Sequence, residues 1–285
     1  MVINFFFIYA AFGCIDIALN ALGSRIFVTK TAILMSLAHF FFGVGSAGGS
    51  QYAGVMLANE IPWRYIFISI LILYALSLVV ICFATFPDMR QKSNTKGVRS
   101  VKVMKDVRVW LSFGTIGLCV IFDFGLTNWL VIYLRDNQHM TPDASASYLA
   151  VYFVFFSLGR LLGGVVAEKL GYIKTFFICI VGSVAFFSLG IMLDSALLFA
   201  VIGLFTSVFF PLFLSIVVKE FKEDAPAVIN LIIPLNSVLF MASSVLLGIL
   251  MERIGVQAGF YILGLFVAIA PVFLFFLKRS LKHKM

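Results

Sequence analysis

Apolar residues arrive in nine long blocks, each about as long as a membrane crossing requires, and the polar residues between them are confined to short connections. The blocks run over about Val2–Leu22, Ala32–Leu57, Tyr65–Ala84, Val109–Leu134, Tyr148–Val166, Thr175–Leu193, Leu197–Val218, Val228–Met251 and Ala258–Leu277. Only Asp194, Ser195 and Ala196 part the sixth from the seventh. A membrane β-barrel would show segments of roughly 10 residues alternating in polarity, whereas these runs are continuously apolar. Because lipid offers the backbone no hydrogen-bond partner, continuous runs of this length are helices. The pattern predicts an all-α polytopic membrane protein, a bundle of nine transmembrane helices.

One connection breaks the apolar rhythm. Between Phe86 and Val109 stand Arg90, Lys92, Lys96, Arg99, Lys102, Lys105 and Arg108, against only Asp88 and Asp106. Short loops this basic stay on the cytoplasmic side. With that loop inside, Arg25, Lys30, Lys169, Lys174, Lys219, Lys222, Lys278, Arg279, Lys282 and Lys284 fall on the same side, and Arg64, Arg135 and Arg253 fall opposite. The alternation agrees with nine crossings of a cell (inner) membrane, the N-terminus outside and the C-terminus cytoplasmic. It also divides the chain into residues 1–86, with three helices, a linker over 87–108, and a six-helix unit over 109–285.

Composition narrows the class further. The chain is 62% hydrophobic and 12% charged, with mean hydropathy +1.09, while a soluble domain needs roughly 25% charged residues to cover its surface. The net charge of +8 sits in connections, where it reads as a topology signal and not as a nucleic-acid footprint. Cys14, Cys82, Cys119 and Cys179 lie inside apolar blocks without paired spacing, so neither a disulfide nor a metal is expected. The first block lacks the basic start of a cleavable signal peptide. No phosphate-binding, dinucleotide-binding or nucleophile motif is present, so neither an enzyme nor a cofactor is expected.

The informative residues are the few polar ones inside the blocks. Asp16 and Asn20 share a helix face. A carboxylate there is costly unless paired, protonated or facing water, so Asp16 is either a proton-carrying cavity residue or a packing acid bonded to a neighbouring helix. His39 lies in a strip with Ser36, Gly43, Ser46 and Ser50, a face that turns toward protein or water. Asp123, Asn128 and Trp129 cluster in the fourth block. Asn230, Pro234 and Ser237 form a strip in the eighth, beside Asn236. Pro211 and Pro234 each remove a backbone hydrogen bond and bend their helices. Asn20, His39, Asp123, Asn128, Trp129, Asn230 and Asn236 are the candidates for a solute cavity.

Gly159-Arg160-Leu-Leu-Gly163-Gly-Val-Val-Ala-Glu168-Lys169-Leu-Gly171 resembles the G-x-x-x-D/G-R motif that follows the second helix of each half in the major facilitator superfamily. It departs from the full motif, with Gly163-Gly164 and Glu168-Lys169 at the places of its acid and its charge pair. The resemblance implies gating or structural roles for Gly159, Arg160, Gly163, Glu168 and Lys169, away from solute. Gly13-Cys-Ile-Asp16-Ile-Ala-Leu-Asn20 resembles the fourth helix of fucose-permease-like symporters, which implies proton coupling and sugar binding at Asp16 and an amide contact at Asn20. The resemblance further implies two halves of six helices, of which this chain would hold the last nine. The first three would lie upstream, be absent from a partial chain, or come from a partner.

These readings together predict a secondary transporter that moves a small polar solute, such as a sugar, by symport with protons, monomeric when full length. Drug or metabolite efflux is the alternative within that class; a truncated, non-transporting membrane protein is the alternative outside it.

Overall fold

The computed structural model describes residues 31–84 and 103–282, with positions 7, 11, 13–15, 18, 19 and 22. Asp16 and Asn20, the side chain of His39 and most of the basic linker lie outside the described residues. All regular structure among the described residues is helical. We number the helices α1 (Thr31–Ala58), α2 (Trp63–Cys82), α3 (Val107–Asn137), α4 (Pro142–Leu170), α5 (Tyr172–Met192), α6 (Ala196–Thr206), α7 (Phe209–Phe221), α8 (Ala225–Ile254) and α9 (Val256–Lys282).

By length and apolar character, six stretches of the described residues can cross a membrane: α2, α3, α4, α5, the combined stretch Ala196–Ile254, and Val256–Leu281. The expected count of nine is therefore not reached on this measure. Ala196–Ile254 is nevertheless not one rod. A turn at Ser207–Val208 separates α6 from α7, and the chain reverses at Lys222, whose φ is 48° and ψ −115°. The seventh expected helix is thus two helices with a two-residue turn between them. Pro211 has no N–H for the Ser207 carbonyl, and its ring crowds that same oxygen, so the break falls four residues ahead of the proline. Pro234, by contrast, lies within a helix that continues on both sides of it.

Two reversals are made by single glycines. Gly171 joins α4 to α5 at φ 87°, and Gly255 joins α8 to α9 at φ 90°, a left-handed conformation that only glycine adopts without strain. Such connections leave consecutive helices antiparallel. At one end of the bundle the Arg108 guanidinium lies 5.0 Å from the Phe221 ring centroid, and the Lys219 ammonium lies 5.6 Å from that of Tyr172. The starts of α3 and α5 and the end of α7 therefore meet there. At the other end Gln138 Nε2 donates to Asp194 Oδ1 at 2.7 Å. Lys169 and Lys174, which flank the Gly171 turn, and Lys222, which follows α7, gather at the first end.

The main core lies within α3–α9. Tyr133 stacks on Phe260 with ring centroids 4.1 Å apart, and Phe122, Phe187 and Phe199 pack edge to face around them. In lipid the gain comes from close packing of this kind, since tails are as apolar as the side chains. α2 shows the converse: only Ile66 is buried, and its remaining apolar surface faces outward. α1 packs along α4, with Ser50 Oγ donating to the Ala146 carbonyl at 2.9 Å and Ser147 Oγ donating to Gln51 Oε1 at 2.8 Å. Gly43 and Gly54 lie on this seam, where a Cβ would overlap Ser157 and Ala146.

The start of α3 is capped. Asp106 accepts from the Arg108 backbone N–H and from Arg108 Nε, both at 3.0 Å. Asp106→Ala is expected to cost about 1 kcal/mol of local helix stability. Amide hydrogen exchange in the first turn of α3 should then quicken roughly fivefold; unchanged exchange would show that the cap contributes nothing.

Candidate functional site

Three helices bring polar groups together near the middle of the bundle. Tyr152 on α4 is fully buried. Its hydroxyl donates to Asp123 Oδ1 on α3 and lies 2.6 Å from Thr206 Oγ1, at the last residue of α6. A tyrosine hydroxyl has one proton to give. With that proton directed at Asp123, the Thr206 hydroxyl is the donor in any hydrogen bond it shares with Tyr152, and Thr206 also bears on the Asp123 carboxyl directly. Thr206, Tyr152 and Asp123 thus form a hydrogen-bonded triad that joins α6, α4 and α3.

Arg160 lies two turns further along α4. Its guanidinium carbon is 4.6 Å from the Phe156 ring centroid and 5.7 Å from that of Phe42 on α1. Its Nε donates to the Ser207 carbonyl at 3.4 Å. That carbonyl is the one Pro211 cannot bond, so the break creates the acceptor and Arg160 occupies it. The charge of Arg160 also acts on Asp123. A cation facing two aromatic rings gains further attraction from their quadrupoles.

Glycine makes these approaches possible. A Cβ at Gly203 would overlap the Tyr152 carbonyl oxygen, and one at Gly159 would overlap the Leu204 carbonyl oxygen and Ser207 Oγ. Gly163 does the same opposite Val208. Small residues at three successive levels thus hold the backbones of α4 and α6–α7 in contact. Gly159, Arg160 and Gly163 sit on this seam. Glu168 and Lys169 are exposed at the end of α4, apart from the buried group.

The other candidates are scattered. Asn128 and Asn230 are exposed, and Trp129 is half-buried, its ring edge 3.9 Å from where a Gly248 Cβ would stand. Asn236 is buried, with an Oδ1 that accepts no hydrogen bond among the described residues. That oxygen lies 2.9 Å from the Cβ position of Gly117 on α3. The structure brings Asp123 and Arg160 into one region and leaves Asn128, Trp129, Asn230 and Asn236 outside their hydrogen-bonded group. Tyr152, Thr206 and Ser207 are the members that the reading by blocks passed over. Tyr152 carried a signal, since a tyrosine deep in an apolar helix needs a partner for its hydroxyl.

Among the described residues no group of three His, Cys, Asp or Glu side chains could hold a metal. The arrangement is suited to holding a proton or an anionic group, and it touches both a helix break and the α1 side of the bundle.

Comparison with known proteins places this geometry. The family model of the Major Facilitator Superfamily matches residues 113–284. The cis,cis-muconate transport protein of Acinetobacter baylyi (strain ATCC 33305 / BD413 / ADP1) is 24% identical over 205 residues, which are 67% of this chain and 49% of that protein. The crystal structure of FucP, a Major Facilitator Superfamily transporter, in the outward conformation superposes with a TM-score of 0.56 at 16% identity, over 75% of this chain and 54% of that one. The chain spans about half the length of the proteins it matches.

Proposed function

The chain belongs to the Major Facilitator Superfamily, and from that premise we propose that it is part of a secondary carrier that moves a small polar solute in symport with protons. The observation carrying this reading is the group formed by the buried Tyr152 and Thr206 with the half-buried Asp123 and Arg160, because an acid and a cation inside a membrane bundle are costly and mark solute or ion pathways by default. The reading keeps nine crossings of the cell membrane, with the N-terminus outside and the tail inside. The lysines gathered at the end where α3 starts support that sidedness. It keeps the partition into residues 1–86, 87–108 and 109–285, and a monomer as the working unit.

In this proposal Asp16 takes the proton, while Asn20, His39, Asn128, Trp129, Asn230 and Asn236 contribute a polar lining. Gly159, Arg160, Gly163, Glu168 and Lys169 set the geometry and the gate. A sugar is the solute suggested by the Asp16 segment. An organic acid is the second reading, supported by the Arg160 guanidinium and by the muconate relative, since Arg is the side chain that pairs with carboxylates in fork geometry.

Uptake into energised membrane vesicles tests both. A labelled neutral sugar and a labelled dicarboxylate are offered under an imposed proton gradient. Accumulation of one is expected to collapse when the gradient is dissipated. Asp16→Asn should remove uphill accumulation and spare solute exchange. Full proton-driven accumulation by Asp16→Asn would defeat the assignment of coupling to Asp16. Uptake of neither solute by the native protein would defeat the carrier reading for these classes.

A further inference from the structure

We propose that Asp123 is a second proton-accepting carboxyl of this protein, and that Tyr152 passes its protonation state to the break between α6 and α7. The inference rests on the carrier reading for its role in transport, but the proton site itself stands on the geometry.

The hydrogen-bond count is the starting point. With Asp123 ionised it can only accept, so Tyr152 donates to it and Thr206 donates to Tyr152 or to Asp123 itself. When Asp123 gains a proton from water it becomes a donor. Its O–H then points to the Tyr152 oxygen, the Tyr152 proton turns to Thr206 Oγ1, and the Thr206 hydroxyl is released to bond within its own helix. One proton arriving at Asp123 therefore makes the triad's hydroxyls turn, because the carboxyl becomes a donor where it had only accepted. Loss of that proton to water turns them back.

The place of Thr206 gives this turning a consequence. Thr206 is the last residue of α6, and the next two residues form the break. The other tether at that break is the bond from Arg160 to the Ser207 carbonyl. The charge of Arg160 favours the ionised form of Asp123, and in that form both tethers hold α6 against α4. The break is thereby tied to the proton through two adjacent residues, Thr206 and Ser207.

The surroundings leave Asp123 as the group that changes charge. From α4 it faces Tyr152 and Arg160, and from its own helix Cys119. α6 presents the Thr206 hydroxyl, and α5 presents Cys179 toward Cys119. The charged residues of α8 and α9 lie at their ends, at Glu252, Arg253, Lys278, Arg279 and Lys282, well away from the middle of α3.

Infrared difference spectroscopy on the purified protein in lipid, stepped between alkaline and acid pH, reads the proposal without knowledge of the solute. The native protein should show a reversible carboxylic-acid band that is missing in Asp123→Asn. Tyr152→Phe, which removes the relay hydroxyl and little else, should retain the band and move its midpoint by about one pH unit, a tenfold change in proton affinity. A band unchanged in Asp123→Asn overturns the proton site. A midpoint unmoved in Tyr152→Phe overturns the relay. Should Asp123→Asn fail to fold, Asp123→Glu serves in its place, with a displaced band expected and an identical one counting against the assignment. In vesicles, Asp123→Asn should lose proton-driven accumulation and keep exchange. Native vesicles that accumulate nothing, from protein whose infrared band does depend on Asp123, would defeat the carrier reading and leave the proton site standing.

Discussion

Gly203→Val is expected to destabilise the protein by about 3 kcal/mol, the upper end of what overpacking a close contact costs, and to abolish any transport it performs. The first atom a side chain at Gly203 meets is the Tyr152 carbonyl oxygen, followed by the Phe156 backbone nitrogen. Backbone in the middle of a helix cannot swing aside as a side chain can. α4 and α6 must therefore separate. Separation removes the bond between Tyr152 and Thr206 as well as the packing, so function should fall further than stability alone predicts. Thermal unfolding in detergent measures the first effect, and vesicle uptake the second. Gly164→Val is the control: nothing lies within 4 Å of its Cβ position, and a change within about 0.5 kcal/mol is expected. Equal losses in the two variants would show that the α4–α6 contact has no special role.

The second large effect is expected at Arg160. Arg160→Gln keeps a donor and removes a charge that acts on Asp123. Asp123 and Arg160 are both half-buried, so the lost charge counts for less than in a fully buried pair; with the two ring contacts and the Ser207 bond also weakened, about 2 kcal/mol is expected. Arg160→Lys restores the charge but not the planar group that faces Phe156 and reaches Ser207, and should recover only part of the loss. Combining Arg160→Gln with Asp123→Asn should return about 1 kcal/mol or more relative to the sum of the single effects, since the uncompensated carboxylate is gone. Strict additivity in that cycle would show that the two residues do not act on one another.

Arg160 also shows how far residue order can be read. In the sequence it stands in a run of Gly, Arg, Glu and Lys, and the run suggests a gate of charge pairs at one end of a helix. In the fold, Glu168 and Lys169 are two turns further along and exposed, while Arg160 turns inward to Phe156, Phe42 and the Ser207 carbonyl. Periodicity gives the face of a helix but not what stands opposite it. Similarly, Pro211 announces a disturbed helix from sequence alone. That its orphaned carbonyl is met by a guanidinium from α4 depends on where α4 lies, and nothing local to Pro211 carries that information.

The class of the protein, the long apolar helices, the basic linker and the presence of a few deep polar side chains all follow from residue order, because each depends on length, hydropathy or charge along the chain. The pairing of Asp123 with Tyr152 and Thr206, the division of one expected helix into α6 and α7, and the use of Gly159, Gly163 and Gly203 as contact points were decided by tertiary packing. A hydrogen bond or a backbone contact between helices is a matter of a few tenths of an ångström and of rotation about each helix axis. Those quantities are set by how several helices fit against one another in space, and no single helix encodes them.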